Sequence, residues 1–117
     1  MGIVAMKMVR CYIRKEKLQA VREKLFELGV PGLSVHDVQG IGKPMSQLKS
    51  DPHSKVPEFH PRVEITIVLE DLAVNEVVAM LVSTVRTGNL GDGKIFILPV
   101  EDALRIRTGE KGEQALY

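Results

Sequence analysis

Apolar residues in the first third of the chain follow the spacing of a strand, then of a helix, then of a second strand. Residues 6–13 are mostly apolar, as expected for a buried strand. Residues 15–28 carry apolar side chains three and four positions apart, which places them on one face of a helix: Leu18, Val21, Leu25 and Leu28. Gly29 then stands where helices commonly end in a left-handed residue. Residues 33–38 alternate less regularly and predict the second strand.

The segment from Gly40 to about His60 has no sustained period and is rich in Gly, Pro, Ser and Lys. Loops of about twenty residues without structure of their own are uncommon in compact domains, where they are usually functional or disordered. Because neither flank is long enough to fold by itself, the segment is not a domain linker. We interpret it as the first indication of function.

The second half of the chain repeats the plan of the first. Residues 62–69 predict a strand, and Asp71 is expected to cap the helix that follows. The apolar stripe of this helix is made mainly of valines: Val74, Val77, Val78, Leu81, Val82 and Val85. Residues 94–100 predict another strand, in which Pro99 indicates an edge or a bulge.

This order of elements predicts an α+β fold of the ferredoxin-like kind, a double βαβ sandwich. Two βαβ units of this length place both helices on one face of a mixed sheet. A short last strand is expected at residues 103–107, within an arginine-containing segment at 103–110 that precedes a polar tail. The long loop, at about residues 41–60, joins the two halves of what we expect to be a single domain over residues 1–117.

The composition excludes several classes of protein. The 117 residues are 44% hydrophobic and 26% charged, as in an ordinary soluble domain, and a net charge of +1 argues against general nucleic-acid binding. The lone cysteine cannot form a disulfide within the chain, and no apolar run approaches the ~18 residues of a membrane-spanning helix. The first residues also lack the basic and apolar regions of a signal peptide. We therefore expect a cytoplasmic protein without nucleic-acid partners.

The stretch TGNLGDGK, residues 87–94, which we call the glycine-rich turn, is a candidate phosphate-binding site. Its glycines permit conformations that expose backbone N–H groups to phosphate oxygens, and Lys94 adds a positive charge. The spacing matches G-x-x-x-x-G-K, but Ile95 stands where a P-loop needs Ser or Thr for magnesium. The stretch also leads from a helix into a strand, the reverse of a P-loop, so it is not one. The alternative interpretation is a tight connection with a solvated lysine.

A second phosphate-binding motif is RIRTGE, residues 105–110. On an extended segment Arg105 and Arg107 project to the same side, and paired guanidinium groups suit phosphates. The alternative is that both are solvated charges that protect an edge strand against aggregation.

Taken together, the motifs resemble those of the PII family of nitrogen-regulatory signal proteins. They are TGxxGDGKIF, RIRTGE, KLxxVRExLxxxGVxGL over residues 17–33, and GIG before the long loop, so the resemblance covers essentially residues 6–110. It implies a compact homotrimer that binds ATP or ADP competitively in the clefts between its subunits, with magnesium possible beside ATP. The long loop, the family's T-loop, is then expected to contact a target protein, either a transporter or an enzyme.

The resemblance also implies which residues bind the nucleotide. Residues 91–94 would cradle the phosphates, the base of the T-loop would close over them, and the two arginines of RIRTGE would reach them from the neighbouring subunit. Ser34 and the backbone of Val68 would lie along the adenine, and Thr87 begins the glycine-rich motif. The implied set is Ser34, Gly40, Gly42, Lys43, Arg62, Val68, Thr87, Gly91, Asp92, Gly93, Lys94, Arg105 and Arg107.

Several positions depart from the family's pattern, chiefly in and beside the T-loop. Pro44 stands where members that sense 2-oxoglutarate usually have Gln, and it offers neither a side-chain ligand for magnesium nor a backbone N–H. This argues against 2-oxoglutarate sensing by the usual route, although Arg62, where Lys is common, could still pair with a carboxylate. Lys43 replaces the usual Arg, and Thr66 replaces a Glu found in many members. The T-loop holds no tyrosine, which excludes modification of a loop tyrosine.

A regulator fits these residues better than an enzyme or an RNA-binding module. A loop whose conformation depends on the nucleotide and docks on a target needs no catalytic group, so we do not expect an enzyme. The enzyme alternative is a slow ATPase, but Asp92, the carboxylate of the motif, is expected to shape the turn. RNA binding would need sheet aromatics in the R-G-F-x-F manner, which are absent. A further alternative is a metal- or carbon-related regulator of this family that senses another small ligand.

The histidines of the T-loop do not define a metal site. His53 and His60 lie near Asp51 and Glu58, but this spacing is not diagnostic, so no metal ligands are assigned. Cys11, within the first predicted strand, is expected to be a packed side chain and not a reactive thiol.

Overall fold

The computed structural model describes residues 4–117. Its elements form a strand–helix–strand unit on each side of the long loop. In chain order they are β1 (Met6–Ile13), α1 (Leu18–Leu28), β2 (Ser34–Gly40), α2 (Met45–Lys49), β3 (His60–Glu70), α3 (Asp71–Val85) and β4 (Lys94–Val100). Short 3₁₀ helices cover Lys15–Lys17 and Gly112–Leu116. No helix in this part of the chain is long and apolar enough to cross a membrane.

The strands form one sheet in the order β2-β3-β1-β4, and every neighbouring pair is antiparallel. The ferredoxin-like α+β prediction is confirmed, whereas the prediction of a mixed sheet is wrong. Each helical crossover does join strands that run in the same direction, but β3 lies between β1 and β2, and β1 lies between β3 and β4. Parallel strands therefore never become neighbours. β4 is an edge strand, in agreement with Pro99.

Helices α1 and α3 pack on one face of this sheet and form the core with it. Along β3 every second side chain is buried, as the period of a strand requires. The largest fully buried side chains come from β1, β3 and both helices: Ile13, Leu25, Ile65, Ile67, Leu69 and Leu81. Phe96 and Leu98 of β4 pair with Arg10 and Met8 on the face of the sheet away from this core. The side chains of Phe96 and Leu98 remain exposed there.

The boundary between β3 and α3 differs from the prediction. Asp71 is the first residue of α3 and not its cap, and no side chain caps this helix. β3 runs into α3 without a loop, and the Asp71 N–H instead donates to the Ala5 carbonyl oxygen, 2.8 Å away. At the end of α1, by contrast, Gly29 has the expected left-handed conformation, with a φ of 69°.

The loop between β2 and β3 contains the short helix α2, which the sequence did not predict. Pro44 precedes it, and its carbonyl oxygen accepts the N–H groups of Gln47 and Leu48 at 3.0 and 3.2 Å. Pro44 itself has an extended conformation with a φ of −67°, the value to which the proline ring restricts it. The rest of the loop holds no further helix or strand, as its lack of a period indicated.

The predicted last strand at residues 103–107 is wrong. Leu104 forms only a single antiparallel bridge, to Lys111, and the chain reverses between them. We call residues 104–111 the C-terminal hairpin. The 3₁₀ helix Gly112–Leu116 follows it, within the expected polar tail, and contacts β3.

Two backbone hydrogen bonds and one glycine explain this reversal. The Arg105 N–H donates to the Glu110 carbonyl oxygen at 2.9 Å, and the Gly109 N–H donates to the Arg105 carbonyl oxygen at 2.7 Å. Gly109 has a φ of 76°, which a side chain would disfavour. The Thr-Gly of RIRTGE thus directs the chain into a turn, which the alternation of Arg105 and Arg107 concealed.

Candidate functional site

A cleft of about 660 Å³ brings the base of the long loop together with the glycine-rich turn. Its walls come from β1, β2, β3 and the start of β4. Of the residues singled out in the sequence, the cleft is lined by Gly40, Gly42, Arg62, Gly91, Asp92, Gly93 and Lys94.

The glycine-rich turn is built around the carboxylate of Asp92. Its Oδ2 accepts the N–H groups of Thr87 and Gly88 at 2.8 and 2.9 Å. Its Oδ1 accepts the Thr87 hydroxyl at 2.5 Å and Nη1 of Arg14 at 2.6 Å. The Arg14 guanidinium, followed by the Thr87 hydroxyl and N–H, holds the pKa of the Asp92 carboxyl well below its usual range. Asp92 therefore shapes the turn, as expected, and remains ionised while doing so.

Two glycines of the turn cannot be replaced without moving either the backbone or neighbouring side chains. Gly93 has a φ of 110°, and a Cβ there would lie 1.8 Å from the Tyr12 carbonyl oxygen. Gly91 has a φ of 94°, and its Cβ would meet the guanidinium groups of Arg62 and Arg14 at 3.0 and 3.1 Å. The turn therefore needs glycine both for its conformation and for the close approach of its neighbours.

Arg14 is the main residue of this site that the sequence did not reveal. It follows β1, and its Nη2 donates to the Leu90 carbonyl oxygen at 2.7 Å. The antiparallel register pairs Tyr12 with Lys94, so two further residues along each strand place Arg14 opposite Asp92. The end of β1 and the start of β4 were both predicted from the sequence, but the pairing of these two strands was not. Knowledge of their register would have placed Arg14 beside Asp92.

The base of the long loop lies directly against the turn. A Cβ on Gly42 would lie 3.6 Å from the Gly91 Cα, and a Cβ on Gly40 would lie 3.6 Å from Cγ of Arg62. The loop base and the glycine-rich turn are therefore adjoining parts of the lining of one cleft.

The charges of the cleft favour an anion. Lys94 and Arg62 line it, and neither forms an ion pair with any residue in the described part of the chain. Arg62 donates from Nη1 to the Pro61 carbonyl oxygen at 2.8 Å. Glu64 also lines the cleft, but it lies 3.7 Å from Nε of Arg10 and accepts the Thr66 hydroxyl at 3.3 Å.

An apolar wall, also not foreseen from the sequence, completes the cleft. Tyr12 and Phe96 line it, and their rings meet edge to face with centroids 6.0 Å apart. Val38 and Leu90 add aliphatic surface. A ligand with a flat apolar part and an anionic part would find both surfaces here.

Other predicted site residues do not line this cleft. Thr87 acts on it indirectly, through Asp92. Ser34 pairs with Thr66 at the start of β2, and Val68 pairs with Met8. The remaining residues outside the lining are Lys43, Arg105 and Arg107.

The two arginines of RIRTGE do not project from an extended strand, so that prediction is wrong. Arg105 is engaged within the C-terminal hairpin: Nη1 pairs with Glu110 at 2.7 Å, and Nη2 donates to the Gln114 carbonyl oxygen at 3.0 Å. Arg107 lies in the turn of this hairpin and is exposed. Their expected contact with a neighbouring subunit remains a prediction.

Metal ligands and the thiol add nothing to this site. No group of three or more His, Cys, Asp or Glu side chains in residues 4–117 could hold a metal ion. Cys11 is buried in the core, and burial raises its pKa to about 11, which keeps it a protonated, packed side chain.

Comparisons with known proteins identify the family of this chain. The sequence model of the family described as "Nitrogen regulatory protein P-II" matches residues 6–110. The nitrogen regulatory protein P-II of Cereibacter sphaeroides is 46% identical over 112 residues, which are 95% of this chain and 100% of that protein. The protein of the same name from Microchaete diplosiphon is 42% identical with the same coverage.

Two solved structures are similar in fold. Arabidopsis thaliana PII bound to citrate has a TM-score of 0.77 and 35% identity, and the match covers 96% of this chain and 92% of that one. The B. subtilis GlnK–ATP complex has a TM-score of 0.82 and 27% identity, with 98% and 99% covered. Since both the family match and the relatives extend over nearly its whole length, this chain belongs to the nitrogen regulatory protein P-II family of signal-transduction regulators.

Proposed function

We propose that this protein senses adenine nucleotides and controls a target protein through its T-loop, residues 41–60. ATP or ADP binds in the cleft with its phosphates against the glycine-rich turn. The observation that carries the proposal is the glycine-rich turn beside Lys94 and Arg62, two cations without a carboxylate partner among the described residues. The similar structure of B. subtilis GlnK was solved as a complex with ATP, which supports an adenine nucleotide as the ligand.

Sensing follows from the difference between the two nucleotides. The γ-phosphate of ATP extends further towards Lys94 and the loop base than the phosphates of ADP do. A ligand shifts the equilibrium between two loop conformations only if it contacts them differently. The contact between Gly42 and Gly91 is where this difference reaches the T-loop. Magnesium accompanies ATP in this proposal, as a partner of the phosphates.

The working unit is a cytoplasmic homotrimer of single domains, with one site in each cleft between subunits. Ser34, Val68, Arg105 and Arg107 lie outside the cleft of their own chain, so a neighbouring chain is needed to bring them to the nucleotide. The exposed Phe96 and Leu98 on the sheet offer apolar surface for that contact. Light scattering should give three times the chain mass of 13.0 kDa, and a monomer would contradict this part of the proposal.

The protein acts by docking and not by catalysis. Met45, Val56 and Phe59 of the T-loop are exposed and offer apolar contacts to a transporter or an enzyme. Asp92, the carboxylate of the glycine-rich turn, is engaged by Arg14, Thr87 and Gly88 and is not available as a base. Slow ATP hydrolysis is therefore not the proposed role.

The nucleotide site is tested by calorimetric titration of ATP and ADP into the parent and into Lys94→Ala. We expect the variant to lose most of its affinity, about tenfold or more, because a charged contact to the phosphates disappears. Lys24→Ala is the matched control, since Lys24 is exposed on α1 and pairs with Glu27. A parent that binds neither nucleotide contradicts the function, whereas a Lys94→Ala protein that binds like the parent contradicts only the site.

The same titration separates nucleotide sensing from 2-oxoglutarate sensing. Pro44 offers magnesium no side-chain ligand, and its carbonyl oxygen is used at the start of α2. We therefore expect 2-oxoglutarate with magnesium to leave ATP affinity unchanged. A large effect that depends on magnesium would contradict this expectation.

A further inference from the structure

Arg14 holds the glycine-rich turn at two separate points. Its Nη1 lies 2.6 Å from Oδ1 of Asp92, and its Nη2 lies 2.7 Å from the Leu90 carbonyl oxygen. Asp92 in turn binds the N–H groups of Thr87 and Gly88, at the beginning of the turn. One guanidinium group after β1 thus binds the middle of the turn at Leu90 and its end at Asp92, and through Asp92 it is linked to the beginning of the turn.

This ion pair differs from a freely solvated one on the surface. The side chains of Arg14 and Asp92 are only 18% and 23% exposed. They are separated by 78 positions in the sequence, so the pair ties the turn to the sheet and not merely to itself. A planar guanidinium can serve two acceptors at fixed angles, which a lysine ammonium on a flexible stem does less well.

Asp92 also presents a problem that Arg14 solves. A carboxylate among the N–H groups that face the cleft would repel a phosphate placed there. With Arg14 beside it, the Asp92 charge is compensated at a distance of 2.6 Å, and Lys94 and Arg62 determine the sign of the cleft. The carboxylate can then organise the backbone without opposing an anionic ligand.

We propose that Arg14 is a positioning residue for phosphate binding, which orders the glycine-rich turn through Asp92 and Leu90 and compensates the carboxylate. It does not itself need to touch the ligand. This inference rests on the proposed nucleotide function, because the phosphates belong to that ligand.

The first test compares affinities for ATP and for adenosine in Arg14→Gln and Arg14→Lys. Arg14→Gln should weaken ATP binding by about tenfold to a hundredfold, with little effect on adenosine, because only the phosphates use the turn. Arg14→Lys should fall between it and the parent, since it keeps the charge and loses the fork. Lys15→Gln is the matched control, because Lys15 is adjacent and exposed and, within residues 4–117, forms an ion pair only with the exposed Asp37.

A double-mutant cycle tests whether Arg14 acts through Asp92. If it does, Arg14→Gln should cost much less ATP affinity in an Asp92→Asn background than in the parent. Effects that simply multiply would overturn the proposed route through the carboxylate. Equal losses for ATP and adenosine would overturn the positioning role as well, because they would indicate a general structural defect.

Amide hydrogen exchange gives a readout that needs no nucleotide. Exchange in residues 87–93 should be faster in Arg14→Gln than in the parent, while exchange in α1 stays the same. A parent that binds ATP and an Arg14→Gln variant that binds it equally well would overturn this inference alone. A parent that binds no nucleotide would overturn the proposed function and the phosphate-binding role with it, and exchange would then decide the ordering role by itself.

Discussion

Two turns of this protein each join an arginine to a carboxylate, and they differ in where the arginine comes from. In the glycine-rich turn Asp92 pairs with Arg14, 78 positions away in the sequence. In the C-terminal hairpin Glu110 pairs with Arg105, only five positions away, at the similar distance of 2.7 Å. The first pair is less exposed, at 18% and 23%, than the second, at 24% and 41%.

The difference separates a turn that depends on the sheet from one that closes by itself. Thr108 and Gly109 lie within the hairpin, and Glu110 accepts the Thr108 hydroxyl at 2.9 Å. Every bond that defines this reversal is local, so it can form before or after the sheet. The glycine-rich turn needs β1 and β4 in register before Arg14 can reach it. The glycine-rich turn is therefore ordered only when the sheet has formed, as a well-ordered binding site requires.

Replacing one glycine of each turn by alanine, Gly93 in the first and Gly109 in the second, should give the largest contrast. Gly93→Ala should destabilise the protein by about 3 kcal/mol or more, because its Cβ collides with the Tyr12 backbone at 1.8 Å. Gly109→Ala, with open space around it and a φ of 76°, should cost only the left-handed conformation, about 1 kcal/mol. Urea unfolding measures both. Similar losses would show that the two turns depend equally on the sheet.

Removing the Asp92 charge should make the stabilities of the two turns differ in their dependence on pH. The pKa of Asp92 is depressed in the folded protein, so its pairing stabilises the fold fully above the unfolded pKa of about 3.9. That stabilisation declines progressively as the pH falls from there through the lower folded pKa. The stability difference between the parent and Asp92→Asn should therefore be largest at neutral pH and shrink under acid. Unfolding curves at pH 7 and pH 3 measure it.

Glu110→Gln is the companion variant in that experiment. Its pair with Arg105 is more exposed, so the loss at neutral pH should be small, about 0.5 kcal/mol. If Asp92→Asn shows no larger loss than Glu110→Gln at pH 7, the contrast between the two pairs is wrong.

The smallest effect on stability is expected for Arg107→Ala. Arg107 lies exposed in the hairpin turn and forms no ion pair in the described part of the chain. Unfolding should be unchanged, while ATP affinity falls about tenfold if the side chain reaches the phosphates of a neighbouring subunit. Calorimetry and light scattering on the same sample measure affinity and trimer formation. Unchanged affinity in an intact trimer would contradict the predicted contact of Arg107 with the phosphates.

Much of the fold could be predicted from periodicity. β1 and β4 have the predicted bounds, and the apolar stripes of α1 and α3 supply buried side chains such as Leu25 and Leu81. The cap at Asp71 and the last strand were predicted wrongly because each prediction relied on a local sequence preference. In the structure the Asp71 N–H donates to the Ala5 carbonyl oxygen, and the left-handed conformation of Gly109 reverses the chain.

The candidate site divides in the same way. Gly91, Gly93 and Lys94 could be singled out because glycine and lysine at that spacing restrict the chemistry. Arg14 and the wall formed by Tyr12 and Phe96 could not, because their roles arise only from strands that pair across the sheet.

By itself, then, the sequence determined the four strands of the sheet and the two long helices, the buried face of each of these helices and the residues of the glycine-rich turn. These features depend on side chains that are close along the chain. Their spacing of two residues in strands, and of three or four residues in helices, can be read directly from the sequence. Only the tertiary structure decided the antiparallel register, the contact of Gly42 with Gly91 and the pairing of Arg14 with Asp92. Such contacts join positions far apart in sequence, and they exist only once the buried faces of β1, β3 and the helices have packed together.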